Sequence, residues 1–119
     1  MTQNVCVVTG SRAEYGLLRP LLFKLNNDKK ISLQLVVTGS HLSGSFGNTQ
    51  KEIEEDGFEI HKRIPIPLDG DSKVEMAKVT GYALSAFADY FEKNSPNLLV
   101  VLGDRFEIFA AAAAAAILG

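Results

Sequence analysis

The stretch Val5–Gly16, Val-Cys-Val-Val-Thr-Gly-Ser-Arg-Ala-Glu-Tyr-Gly, leaves the chain few folds to choose from. Val5, Val7 and Val8 are β-branched and sit in a short apolar run without polar alternation, the pattern of a strand covered on both faces. Gly10 allows a sharp turn. Ser11 and Glu14 then make a Ser-x-x-Glu capping box, which opens a helix. Arg12 falls in the first turn of that helix, where the partial positive charge of the helix end disfavours a cation by roughly 0.3–1 kcal/mol. A bound anion reverses that sign, because helix amides and guanidinium can share it.

The same arrangement returns near the other end of the chain. Leu98–Leu102 reads as a second buried strand, followed by Gly103-Asp104-Arg105-Phe106-Glu107. Asp104 is the expected N-cap, Glu107 its partner three residues on, and Arg105 the first helical residue. Two arginines at two helix starts, each just after a parallel strand, point to one anionic ligand bridging two loops.

Between them, strand and helix patterns alternate. A helix is expected from about Ala13 to Asn26, with Leu17, Leu18, Leu21, Leu22 and Leu25 as its apolar stripe and a kink or irregular first turn from Pro20. Ile31–Thr38 is the second strand. A short polar helix follows over about Asn48–Asp56, closed by Gly57. Phe58–Ile64 is the third strand or its approach. Ser72 and Glu75 open a long helix carrying Met76, Val79, Ala83, Phe87, Tyr90 and Phe91 inward. The last helix, about Arg105–Leu118, holds seven consecutive alanines flanked by Phe106, Ile108, Phe109, Ile117 and Leu118 as expected core anchors. This alternation predicts an α/β fold with a Rossmann-like parallel sheet, and right-handed crossovers give the strand order 3-2-1-4. Both arginine loops then lie at the switch point between strands one and four, where open sheets bind ligands. Strand four would be an exposed edge, so the chain is expected to be an incomplete N-terminal domain, the front part of a longer protein.

Composition excludes several classes of function. Hydrophobic residues make up 46% of the 119, enough for a core, and the formal net charge of -2 carries no basic tract for nucleic acid. The single cysteine, Cys6, lies in the first strand and reads as a small core residue. No cluster has metal-ligand spacing, and no cofactor is expected. The apolar run Ile108–Leu118 is too short for a bilayer, and a cytoplasmic protein without membrane contact is expected. Arg12 lies where a dinucleotide fingerprint needs glycine, and Leu17 and Leu18 stand where a P-loop has Lys and Ser/Thr. Glu14 and Glu107 read as capping residues more than as catalysts, and Tyr15 as packing. Glu52–Asp56 reads as a solvated helix face, and His61 as structural. Asp104 is evenly balanced between an N-cap and a catalytic carboxylate at a strand end. His41 is a candidate proton carrier or substrate contact.

Four segments in order, Ser11-Arg12-Ala13-Glu14-Tyr15, Gly39-Ser40-His41-Leu42, Phe46-Gly47-Asn48-Thr49 and Gly103-Asp104-Arg105-Phe106, closely resemble the hydrolysing UDP-N-acetylglucosamine 2-epimerases of sialic-acid biosynthesis. The resemblance implies a two-domain glycosyltransferase-B-like fold with a nucleotide sugar in the cleft. It implies elimination of UDP to a glycal, followed by hydration to N-acetylmannosamine. On it, Asp104 is the acid/base residue, and Arg12, Ala13, Gly16, Arg105 and His41 are substrate-binding. Gly16 stands where some members carry a serine. Further family residues would lie beyond Gly119, so these residues alone are expected to be inactive, and a homo-oligomer is expected at full length. A hydrolysing epimerase of a bacillosamine-type nucleotide sugar, a glycosyltransferase of the same architecture and a non-catalytic nucleotide-sugar sensor are the competing readings.

Overall fold

A computed structural model describes residues 2–39, 49–66, 72–103 and 105–119. The elements run β1 (Gln3–Thr9), α1 (Arg12–Asn27), β2 (Ile31–Thr38), α2 (Gln50–Glu55), β3 (Lys62–Ile64), α3 (Lys73–Lys93), β4 (Leu98–Val100) and α4 (Phe106–Leu118). The strands form one sheet in the order β3-β2-β1-β4. All three pairings are parallel, with Val5 opposite Leu33 on one side and Leu98 on the other.

The sheet is covered on both faces because β1 and β2 carry apolar side chains at both parities. Val5, Val7, Leu35 and Val37 pack with Tyr15, Leu18 and Leu22 of α1 and with Ile53 of α2. Cys6, Val8 and Val36 turn the other way, toward Phe87 and Phe91 of α3 and Ala110, Ala111 and Ala114 of α4. Burial pushes the Cys6 thiol up to about 12, so it stays an inert core group.

The helix ends follow local chemistry. The Glu14 amide donates to Ser11 Oγ at 3.3 Å, and the Glu75 amide to Ser72 Oγ at 3.1 Å. α1 runs through Pro20 without a break. Proline withdraws the donor for the Gly16 carbonyl, but Gly16 is exposed and water can serve that oxygen. The α1 stripe is narrower than expected: Leu18 and Leu22 are buried, whereas Leu17 and Leu21 face solvent.

Four other expectations change. β3 and β4 are only three residues each. His61 nonetheless extends the β2–β3 edge, donating its amide to the Leu35 carbonyl at 2.9 Å and accepting the Leu35 amide on Nδ1 at 3.3 Å. Arg105 is the N-cap of α4, with no side-chain cap bond, and the helix starts at Phe106. Met76 on α3 is exposed, as are Phe109, Ile117 and Leu118 on α4. Nearly every residue of α4 is apolar, so periodicity could not say which face turns inward. The small Ala face does, because alanine lets α3 and α4 approach closely.

That contact gives a direct test. Ala111→Leu, at a fully buried position, should overpack the α3–α4 seam and cost about 1–3 kcal/mol. Ala112→Leu, on the exposed side, should stay within about 0.5 kcal/mol of the parent in the same urea unfolding measurement.

Candidate functional site

The C-terminal ends of β1, β2 and β4 converge on three glycines, Gly10, Gly39 and Gly103. A β-carbon placed on Gly39, whose φ is +63°, would sit 2.5 Å from the Gly10 carbonyl oxygen and 2.9 Å from Glu107 Oε1. One on Gly103, at φ +107°, would sit 2.6 Å from Glu14 Oε2. Only glycine combines these positive φ values with this closeness. The loops after three neighbouring parallel strands therefore touch at one place, the switch point of the sheet.

Two carboxylates fill the space the glycines leave. Glu14, from the first turn of α1, accepts the Gly10 amide at 2.9 Å. It thus reaches one residue past its own N-cap, a variation on the capping box. Glu107, from the first turn of α4, is completely buried, and its Oε1 accepts Arg105 Nε at 2.7 Å. Glu107 Oε2 is buried with no hydrogen-bond partner among the described residues. Glu107 Oε1 and Glu14 Oε1 flank the same point above Gly10, at 3.0 and 3.3 Å from it. Burial pushes the Glu14 carboxyl above the ordinary range; the Gly10 amide opposes this, the Glu107 charge adds to it, and Arg105 opposes it.

Beside this junction, Arg12, Ala13, Gly16, Leu17 and Glu52 line an open crevice of about 460 Å³ along the start of α1. Arg12 donates through Nε to Glu52 Oε2 at 3.0 Å, with 72% of the arginine side chain exposed. The acidic helix α2 is thus no idle solvated face. Glu52 answers Arg12, and Glu54 pairs with Arg63 at 2.9 Å. Asp56 accepts the Tyr15 hydroxyl and, at 2.9 Å, Arg19 Nη2. Burial and the Asp56 contact push the Tyr15 phenol upward, so it serves as a neutral donor pinning α1 to α2. An exposed pair such as Arg12–Glu52 contributes about 0–1 kcal/mol and can be exchanged for a stronger anion.

Of the residues singled out from the sequence, Arg12, Ala13 and Gly16 come together in the crevice, and Arg105 lies at the glycine junction next to it. Asp104 and His41 lie outside the described residues. Among the described residues no group of three or more His, Cys, Asp or Glu could hold a metal ion. The convergence of Glu14 with Glu107 is what the sequence reading missed. Its signal was present: Gly-x-Arg-x-Glu stands after both strands, at Gly10–Glu14 and at Gly103–Glu107.

Two measurements check this geometry. Gly16 has open space around a β-carbon, so Gly16→Ala should stabilise α1 by about 0.5–1 kcal/mol, whereas Gly39→Ala should destabilise or fail to fold. The raised Glu14 value means the folded chain holds this proton more tightly than the unfolded chain. The resulting stability is full below the ordinary glutamate value of 4.5 and is lost as pH rises through the folded value. Glu14→Gln keeps an oxygen for the Gly10 amide, so its melting temperature should gain on the parent above that window and not below it.

A family model described as UDP-N-acetylglucosamine 2-epimerase matches residues 23–119. The chain is 47% identical over 110 residues to a GDP/UDP-N,N'-diacetylbacillosamine 2-epimerase (hydrolyzing) of Campylobacter jejuni, covering 92% of this chain and 28% of that protein. It is 43% identical over 115 residues to a UDP-N,N'-diacetylbacillosamine 2-epimerase (hydrolyzing) of Legionella pneumophila, covering 97% and 30%. To polysialic acid biosynthesis protein P7 of Escherichia coli it is 42% identical over 113 residues, covering 95% and 29%. The fold matches a crystal structure of UDP-GlcNAc 2-epimerase from Neisseria meningitidis bound to UDP-GlcNAc with a TM-score of 0.81 at 22% identity, covering 98% of this chain and 30% of that one. The chain thus spans less than a third of the length of the curated relatives it matches. With a family match across most of its length and a sheet whose arginine loops meet at the switch point, the chain belongs to the UDP-N-acetylglucosamine 2-epimerase family.

Proposed function

We propose that these residues form the first part of the N-terminal domain of a hydrolysing 2-epimerase acting on a bacillosamine-type nucleotide sugar. The observation that carries the substrate class is the 47% identity to the Campylobacter enzyme of that name. A second reading, the sialic-acid type acting on UDP-N-acetylglucosamine, is supported by the 42% identity to the polysialic acid protein.

The geometry suits the leaving group. In the elimination, a base takes the C2 proton, the C1–oxygen bond breaks, and the nucleoside diphosphate departs with the electron pair. Negative charge grows on the diphosphate, and prepositioned cations and amides at that place stabilise it. The crevice at Arg12, Ala13 and Gly16 offers a helix start and a guanidinium whose present partner is an exposed carboxylate. Arg105 approaches from the next loop. Water then adds across the glycal, a proton to C2 and hydroxide to C1, which releases the free 2-epimeric sugar. Asp104 is assigned the acid/base role and His41 a substrate contact.

The test is turnover by the full-length protein without any acceptor. Free nucleoside diphosphate and 2-epimeric sugar should appear, with kcat/KM higher for the diacetylated bacillosamine nucleotide than for UDP-N-acetylglucosamine. Transfer that requires an acceptor would identify a glycosyltransferase instead, and the reverse preference would favour the sialic-acid type. Arg12→Ala should weaken UDP binding by about ten- to a hundredfold, and Arg12→Lys should restore it only in part because the planar fork is lost. Asp104→Asn should lower turnover by about 10²-fold or more while UDP still binds. Near-normal turnover in a folded Asp104→Asn protein would remove the acid/base assignment from this residue.

A further inference from the structure

The Glu14–Glu107 junction has a charge problem that the fold does not resolve. Among the described residues, two carboxylates and one guanidinium meet where three loops close on glycine. One carboxylate oxygen, Glu107 Oε2, is buried with no donor among these residues. A buried acceptor left unpaired costs on the order of 1–3 kcal/mol, and an excess negative charge opposes the arrival of a further anion. Space filling alone does not call for this pair, since an apolar residue or a glutamine would fill the same volume without the charge.

We propose that Glu107 and Glu14 are positioning residues for the nucleotide diphosphate: Glu107 fixes the Arg105 guanidinium at the junction, and Glu14 takes up one proton from solvent as the diphosphate binds. This rests on reading the site as a nucleotide-diphosphate pocket.

Three observations support it. The Glu107 carboxylate is packed against the positions of Gly10 and Gly39 and is completely buried, so the arginine bound to its Oε1 has a fixed anchor. Glu14 Oε1 is engaged by the Gly10 amide, which leaves Oε2, the oxygen against Gly103, to carry the proton. Glu14 Oε1 and Glu107 Oε1 flank the same point above Gly10, so a proton on Glu14 removes one of two neighbouring negative charges as the diphosphate brings its own. The charged groups facing Glu14 among the described residues are Glu107 and Arg105. As the diphosphate engages Arg105, that cation offsets the Glu14 charge less, and the incoming negative charge favours protonation further. By linkage, proton uptake on binding and tighter binding at lower pH are one effect.

The experiment is calorimetric titration of the full-length protein with UDP in buffers of different ionisation enthalpy, across acid to neutral pH. UDP itself has a terminal phosphate that titrates in this range, so the quantity read is the difference in proton uptake between parent and Glu14→Gln, which cancels the ligand. The parent should take up more, approaching one extra proton, and its affinity relative to Glu14→Gln should fall with rising pH by up to about tenfold per pH unit. Carboxyl carbon NMR of the parent gives a measurement that needs no folded variant for its main reading: one glutamate carboxyl should titrate at higher pH with UDP bound than without. Glu107→Gln should weaken UDP binding by about tenfold, through a loosened Arg105, whereas a space-filling role would leave it unchanged. Equal proton uptake in parent and Glu14→Gln, or no carboxyl shifted by UDP, overturns the proton linkage and leaves the nucleotide pocket standing. Unchanged affinity in Glu107→Gln removes its positioning role. Failure of the parent to bind UDP at any pH overturns the pocket itself.

Discussion

β1 is hydrogen-bonded along both edges, to β2 and to β4, and covered on both faces by helices. No position along its second half can be polar without a partner. Val5, Cys6, Val7 and Val8 are all buried, and the first polar residue after them, Thr9, is buried too. The rest of the molecule attaches to this strand. α1 and α2 take one face, α3 and α4 the other, and the loops leaving its end meet those from its two neighbours. The glycine junction is where it is because parallel strands side by side must release their chains at the same edge.

Much of this was legible because it depends on local rules that act alone. A continuous apolar run, a Ser-x-x-Glu start and a glycine stop each carry their own signal, and the strand order follows from the hand of the crossovers. What the sequence hid were facts of facing. Leu17 and Leu21 continue the α1 stripe by spacing, yet Leu18 and Leu22 make the contact with the sheet and the other two remain exposed. In α4 the apolar signal is saturated, so Phe109 and Ile117 looked like anchors although the alanines make the contact. Glu52 and Asp56 looked solvated because nothing in a run of acids names the arginines and the tyrosine that come to meet it from α1.

A cation at a helix start called for an anion, and the fold supplies one to each: Glu52 to Arg12 and Glu107 to Arg105. The two pairs are not equivalent. Arg12–Glu52 is exposed on both sides and weakly held, so a diphosphate can compete for the guanidinium. Arg105–Glu107 sets a half-exposed guanidinium on a fully buried carboxylate, which holds the cation rather than releasing it. One guanidinium is therefore loosely held and the other fixed in place.

That division bears on how an elimination would be served at this edge of the sheet. A leaving diphosphate needs charge stabilisation that is already oriented when the bond breaks, because reorganising dipoles at that moment would add to the barrier. On the proposed reading the anchored arginine would answer this need, and it stands on a carboxylate in a closed pocket of glycines. The second carboxylate in the same pocket accepts the Gly10 amide, and burial favours its protonated form. The glycines at Gly10, Gly39 and Gly103 are what allow both groups to stand under the loops at once, since a β-carbon at any of them would approach a carboxylate oxygen to 3.0 Å or less. The backbone conformation and the electrostatics of the site are thus a single constraint, and a side chain cannot be added to one without disturbing the other.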